Sequence, residues 1–229
     1  MRNKLAKLAS VVISVIVLFI FAITAIAKEE MVPTREKPII VDKQGKRVLI
    51  YTEVNEMNVH QANVHWGIVF KDGRFQDRAI LRSWAEHLAF HDSLLAIGAK
   101  PGNNLSKETI GKHVEGDLLD VTATWPGLGK EVRLDEIFTE SGGKGFQIRF
   151  GGNRKASAEQ NTGCITCLES CWIAISSNSV YPQTGSIKRF ISPNAKFQGK
   201  ASILPKDGQP VILIYRVHSL ERAASNSRN

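Results

Sequence analysis

Apolar and polar positions alternate in short bursts along most of this chain, the pattern of strands buried on one face. The first burst is Ile39-Ile40-Val41. Arg47 to Tyr51 follows after Asp42-Lys43-Gln44-Gly45, which reads as a hairpin turn. Val64 to Phe70 is a further strand ending at Lys71-Asp72-Gly73, and Ala79 to Leu81 continues the sheet. Leu118 to Trp125, Phe146 to Phe150, Lys200 to Leu204 and Val211 to Val217 complete the strand pattern, the last two joined through Pro205 to Gly208. One segment follows the helical period instead. From Glu86 to Ile97, Phe90, Leu94 and Ile97 recur at i, i+4 and i+7. Gly98 suits the C-terminal cap, and Pro101-Gly102 prevents continuation. Val132 to Phe138 fits neither period cleanly. The pattern predicts an α+β fold: one strand-rich domain over residues 38–218 with one main helix near residues 86–97. A flexible leader at 28–37 precedes it, and a disordered tail at 219–229 follows.

The chain start departs from this pattern. Arg2, Lys4 and Lys7 precede an apolar run from Leu8 to Ala27, which ends in Ala25-Ile26-Ala27 before Lys28. A basic start, an apolar stretch and small residues at the cut are the layout of a secretory signal peptide over residues 1–27. The run is also about long enough to span a bilayer, so an anchor at residues 8–27 is the alternative. Both readings predict an exported protein, periplasmic or extracellular, that touches the membrane only through this segment if it is not cleaved.

Composition narrows the classes. In 229 residues the hydrophobic fraction is 43% and the charged fraction 23%, which excludes wholesale disorder and a multi-span membrane protein. The formal charge of +8 falls to +5 without the first 27 residues, and no run of five or six basic residues occurs. Nucleic acid is therefore not an expected partner. Gly142, Gly143 and Gly145 lack the Gly-Lys-Ser/Thr ending of a phosphate loop and read as hairpin turns.

The chemistry concentrates in one place. All three cysteines, Cys164, Cys167 and Cys171, fall in a C-x2-C-x3-C run. Three thiolates that close can hold a soft metal or an iron–sulfur cluster, or two can form a disulfide. The spacing resembles part of a ferredoxin ligand run without its fourth cysteine, and Trp172 stands where that run has proline. No histidine follows Cys167, so c-type haem attachment is excluded. The i, i+3, i+7 spacing also fits one stripe of a helix, on which the cysteines would be core residues. Export through an oxidising compartment favours disulfides over clusters. These readings stay open.

Other residues offer less. His87 and His91 are four apart on the predicted helix, but Leu88 stands where a zincin has glutamate. His60 and His65 flank a strand start, and His113 lies in a polar stretch; any of these imidazoles could supply a fourth ligand. Ser176, Ser177 and Ser179 have no nucleophile elbow around them. Asn153, Asn161 and Asn178 read as turn residues or the lining of a loop site. Trp172 is placed to shield the cysteines. No nucleophile–base pair is visible, so the expected role is not enzymatic.

Three segments taken together, His65 to Phe70, His91 to Gly102, and Gly163 to Cys171 followed by Ser176-Ser177-Asn178, resemble the YdjY-domain family of exported bacterial proteins. The resemblance covers residues 38–218. Members are often labelled ferredoxin-like or iron–sulfur binding, so the resemblance implies a cofactor at Cys164, Cys167 and Cys171. The combined expectation is an exported protein that binds an iron–sulfur cluster or soft metal for electron transfer with a redox protein partner in the cell envelope. A thiol–disulfide module and a non-enzymatic binding domain with structural cysteines are the alternatives.

Overall fold

The computed structural model describes residues 32–62, 65–184 and 193–218. The predicted signal segment and the tail lie outside the described residues. In chain order the elements are β1 (Ile39–Asp42), β2 (Arg47–Val54), α1 (Glu56–Val59), β3 (Trp66–Phe70), β4 (Leu81–Ser83), α2 (His87–Ala96), β5 (Leu118–Thr124) and β6 (Val132–Arg133). There follow α3 (Leu134–Ile137), β7 (Phe138–Glu140), β8 (Ile148–Phe150), α4 (Arg154–Gln160), β9 (Cys164–Cys167), β10 (Ser176–Asn178), β11 (Phe197–Gly199) and β12 (Pro210–Val217).

Eight of these strands close on themselves. The order β2-β12-β5-β8-β10-β9-β3-β4 returns to β2 through the antiparallel pairs Thr52–Ser83, Glu53–Arg82 and Val54–Leu81. The β3–β4 and β9–β10 pairs are parallel and the other pairs around the barrel are antiparallel. Closure removes the unpaired edges that an open sheet would present. β1 and β6 attach outside the ring, to β2 and β5, and β7 pairs with β11 in a separate ribbon.

Strand alternation builds the interior. On β2, Val48, Ile50 and Val54 join the main core, while Leu49 packs outside with Ile40, Ile212 and Ile214. Helix α2 contributes Phe90 and Leu94 to the main core, and the Phe90 ring meets Tyr215 edge-on at 4.7 Å. The Ile97 cap and Gly98 at positive φ end α2 where the sequence predicts.

The predicted α+β fold with one main helix is overturned. The chain is a closed, strand-rich β-barrel, and among the described residues it carries four short helices. α2 lies at the predicted position, but α1, α3 and α4 are too short to set up a visible period. Val132 to Phe138 resolves into β6, α3 and the start of β7. Lys200 to Leu204 is a turn, and the strand in that region is β11, just before it. Closure itself leaves no mark in the sequence, because it depends on the distant pairing of β2 with β4.

Candidate metal centre

The cysteines do not share a helix stripe. Cys164 to Cys167 form β9, and Cys171 lies in the loop that leads to β10. That loop is fastened at many points. The Asn153 side-chain amide donates to the carbonyls of Cys171 and Ala174, each at 3.3 Å. The Cys171 amide donates to Ser177 Oγ at 3.3 Å, and the Asn178 side chain donates to the Leu168 carbonyl at 3.1 Å. The Ile175 amide donates to the Cys164 carbonyl at 3.1 Å. Asn153, Asn178 and Ser177 are therefore braces of the cysteine loop. Asn161 caps α4 in the left-handed conformation.

All three thiols are buried and none is in a disulfide. They sit in an apolar cluster with Trp66, Val69, Ala79, Ile173 and Ala174, against which Phe75 and Trp172 pack. Trp172 packs against the cluster that holds the cysteines.

His65 enters this cluster from the residue before β3. A donor nitrogen of His65 and the Sγ atoms of Cys167 and Cys171 all lie within 4.8 Å of one another. Cys164 stands beside Cys167, in side-chain contact with it. His65 Nδ1 is 2.9 Å from Glu169 Oε1, so Nε2 is the nitrogen turned to the thiols. The His65 carbonyl accepts from the amides of Leu168 at 2.7 Å and Gly67 at 3.0 Å, which ties the histidine to the cysteine loop.

The electrostatics follow from these contacts. Burial disfavours a charged His65, but Cys171 and Glu169 beside it outweigh that and hold its pKa well above the ordinary imidazole value. The contact with Cys167 lowers the Cys171 thiol against the effect of burial, with His65 adding to it. Burial, with Cys164 and Cys171 adjacent, pushes the Cys167 thiol up.

Two sulfurs on one ion, with metal–sulfur bonds of about 2.3 Å, are at most ~4.6 Å apart, so donors grouped within 4.8 Å need to draw in only slightly to share one coordination sphere. A buried imidazole and two buried thiols this close could bind a metal.

The other histidines are elsewhere. His87 Nδ1 lies 2.8 Å from Glu86 and His91 Nδ1 2.9 Å from Asp92; neither belongs to the thiol group. His113 Nδ1 is 2.6 Å from the Ser179 carbonyl, and His60 is exposed at the end of α1. Glu169 is the residue sequence reading missed. Its signal is a lone carboxylate between two cysteines in a stretch of otherwise apolar and small residues.

A closed β-barrel with a buried imidazole–thiol group at one wall defines the class of protein. Within that class, the chain belongs to the YdjY domain family, whose model matches residues 39–216. It is 35% identical over 187 residues to the uncharacterized protein YdjY of Escherichia coli strain K12, covering 80% of each chain. No solved structure matches it.

Proposed function

We propose that the protein is an exported soft-metal protein. In this reading one ion is held by His65, Cys167 and Cys171, with Cys164 as the adjacent fourth donor, and it serves electron transfer to a redox partner in the cell envelope. The observation that carries the reading is the meeting of one imidazole and two thiols within 4.8 Å in an apolar surround. Thiolate and imidazole donors select soft or borderline ions over calcium or magnesium. Burial favours outer-sphere chemistry. Cys171 is 4% exposed, and the 510 Å³ groove between β5, β12 and α3 shares no residue with the centre. An ion so enclosed can exchange electrons through its surround without contact with a substrate.

The same burial weighs against Cys171 as a nucleophile, although His65 and Glu169 stand behind it as a base and its orienter would.

Metal analysis and thiol counting on anaerobically purified protein from the exported fraction test the reading. It predicts about one equivalent of a redox-active ion, iron or copper, per chain, lost in Cys167→Ser and His65→Ala, and no acid-labile sulfide; zinc as the native ion would keep the site and overturn the electron-transfer role. Protein free of metal from its native host, which also fails to take up Zn(II) or Co(II), would sink it. Acid-labile sulfide with a broad visible band would replace the single ion with a cluster.

A further inference from the structure

We infer that Glu169 is the positioning residue of the centre: it fixes the tautomer of His65, so that Nδ1 carries the proton and Nε2 is left as the ligating nitrogen. This inference rests on the metal-binding reading above and deepens it.

Glu169 is fully buried, and both of its carboxylate oxygens are held. Oε1 receives the Thr184 hydroxyl at 2.7 Å as well as His65 Nδ1 at 2.9 Å. Oε2 receives the Asn194 amide at 2.9 Å, and that amide is anchored by donating also to the Pro182 carbonyl at 2.8 Å. A carboxylate only accepts, so the imidazole nitrogen facing it must donate. With Nδ1–H committed, the lone pair of a neutral ring lies on Nε2, toward Cys167 and Cys171. The arrangement is that of a carboxylate–histidine–metal triad, in which the outer carboxylate sets ring orientation and raises the basicity of the ligand.

The chain supplies this triad economically. Glu169 sits midway between Cys167 and Cys171. Its backbone is held on either side, since the Leu168 amide donates to the His65 carbonyl at 2.7 Å and the Ser170 amide to the Tyr181 carbonyl at 3.0 Å. Ligands and positioning group therefore move as one unit, and His65 is tied to that unit by backbone and side chain alike.

Glu169→Gln keeps shape and burial but lets either amide atom face Nδ1, so the tautomer is no longer dictated. The test uses the mature chain with Zn(II) and Co(II) as probe metals. Affinities are measured by chelator competition, the Co(II) absorption bands are recorded, and the imidazole nitrogens of the Zn(II) form are read by long-range ¹H–¹⁵N NMR. The expected result is Nε2 ligated and Nδ1 protonated in the parent protein, with about a 10- to 100-fold affinity loss and altered Co(II) bands in Glu169→Gln. Glu169→Asp should restore part of the affinity, which a merely structural role would not require. Ligation through Nδ1, or unchanged affinity and bands in a folded Glu169→Gln, overturns the inference while leaving metal binding intact. If Glu169→Gln does not fold, the tautomer in the parent protein decides alone. A parent protein that binds neither metal overturns the underlying reading, and this inference with it.

Discussion

Thr166 Oγ1 lies 2.8 Å from the Tyr215 hydroxyl, joining strands β9 and β12 on opposite walls of the barrel. Ser176 Oγ is 2.8 Å from the same threonine oxygen and donates onward to the Ile165 carbonyl at 2.9 Å. A carbonyl only accepts, so the chain has one direction: tyrosine donates to threonine, threonine to serine, serine to the backbone. Truncations at its first and second links should therefore differ in cost. Tyr215→Phe leaves only a lone pair of Thr166 unfilled and should cost about 0.5–1.5 kcal/mol. Thr166→Val strands the buried phenol as an unpaired donor and should cost more, about 1–3 kcal/mol. Urea denaturation of both variants checks the order, and equal costs would break the directional argument.

Two glycines with positive φ separate backbone preference from packing. Gly98, after α2, has φ +89° and nothing within 4 Å of where a Cβ would stand. Gly98→Ala should lose about 1 kcal/mol, the backbone penalty alone. Gly163 has φ +71°, and a Cβ there would lie 2.6 Å from Gly73 Cα, which is backbone and has no rotamer to yield. Gly163→Ala should cost at least ~2 kcal/mol, and because Cys164 is the next residue it should also weaken Zn(II) or Co(II) uptake. Chemical denaturation gives the first quantity and metal titration the second.

The parts legible in the sequence are those with local causes. The β1–β2 hairpin, β5, β12 and α2 each carry a periodicity and a turn or cap signal of their own. The cysteine run marks one half of the centre for the same reason. The rest depends on pairing between distant segments. His65 reads as one of several histidines that could join the cysteines, and it becomes a buried partner of the thiols only because β3 pairs with β9 about a hundred residues later. The i, i+3, i+7 spacing of the cysteines is equally compatible with a helix, and only the pairing with β3 on one side and β10 on the other settles Cys164 to Cys167 as a strand. Glu169 carried no expectation because a carboxylate between cysteines has no role until an imidazole arrives beside it.

The tyrosines give a pH prediction with a fixed sign. All three, Tyr51, Tyr181 and Tyr215, have their pKa raised. Burial is the first cause in each. For Tyr181 the Glu140 carboxylate, which accepts its hydroxyl, adds to it and lifts the value to about 12. The unfolded phenol titrates near pH ~10, so above that pH the unfolded chain releases protons that the native state keeps. Stability is therefore intact below about pH 10 and falls as pH rises toward the folded values. An ultraviolet titration of tyrosinate should find little ionisation at pH ~10 in the native protein and about half in guanidinium. Half-ionisation of the native protein at that pH would contradict the burial of Tyr181 and Tyr215.

Ser157 offers a substitution expected to improve the protein. It lies inside α4, fully buried, and its hydroxyl has no hydrogen-bond partner among the described residues. An unpaired buried hydroxyl was desolvated on folding without recompense. Ser157→Ala removes that group and installs a better helix former, while the amide at this position still donates to the Asn153 carbonyl at 2.9 Å. The variant should be neutral or up to ~1 kcal/mol more stable. Ser176→Ala is the control, because it breaks the directional chain to Tyr215 and should destabilise by about 1 kcal/mol. Thermal or urea unfolding of the two variants separates the cases. A loss above ~1 kcal/mol in Ser157→Ala would mean that its hydroxyl is satisfied in solution, by an internal water held between α4 and α2.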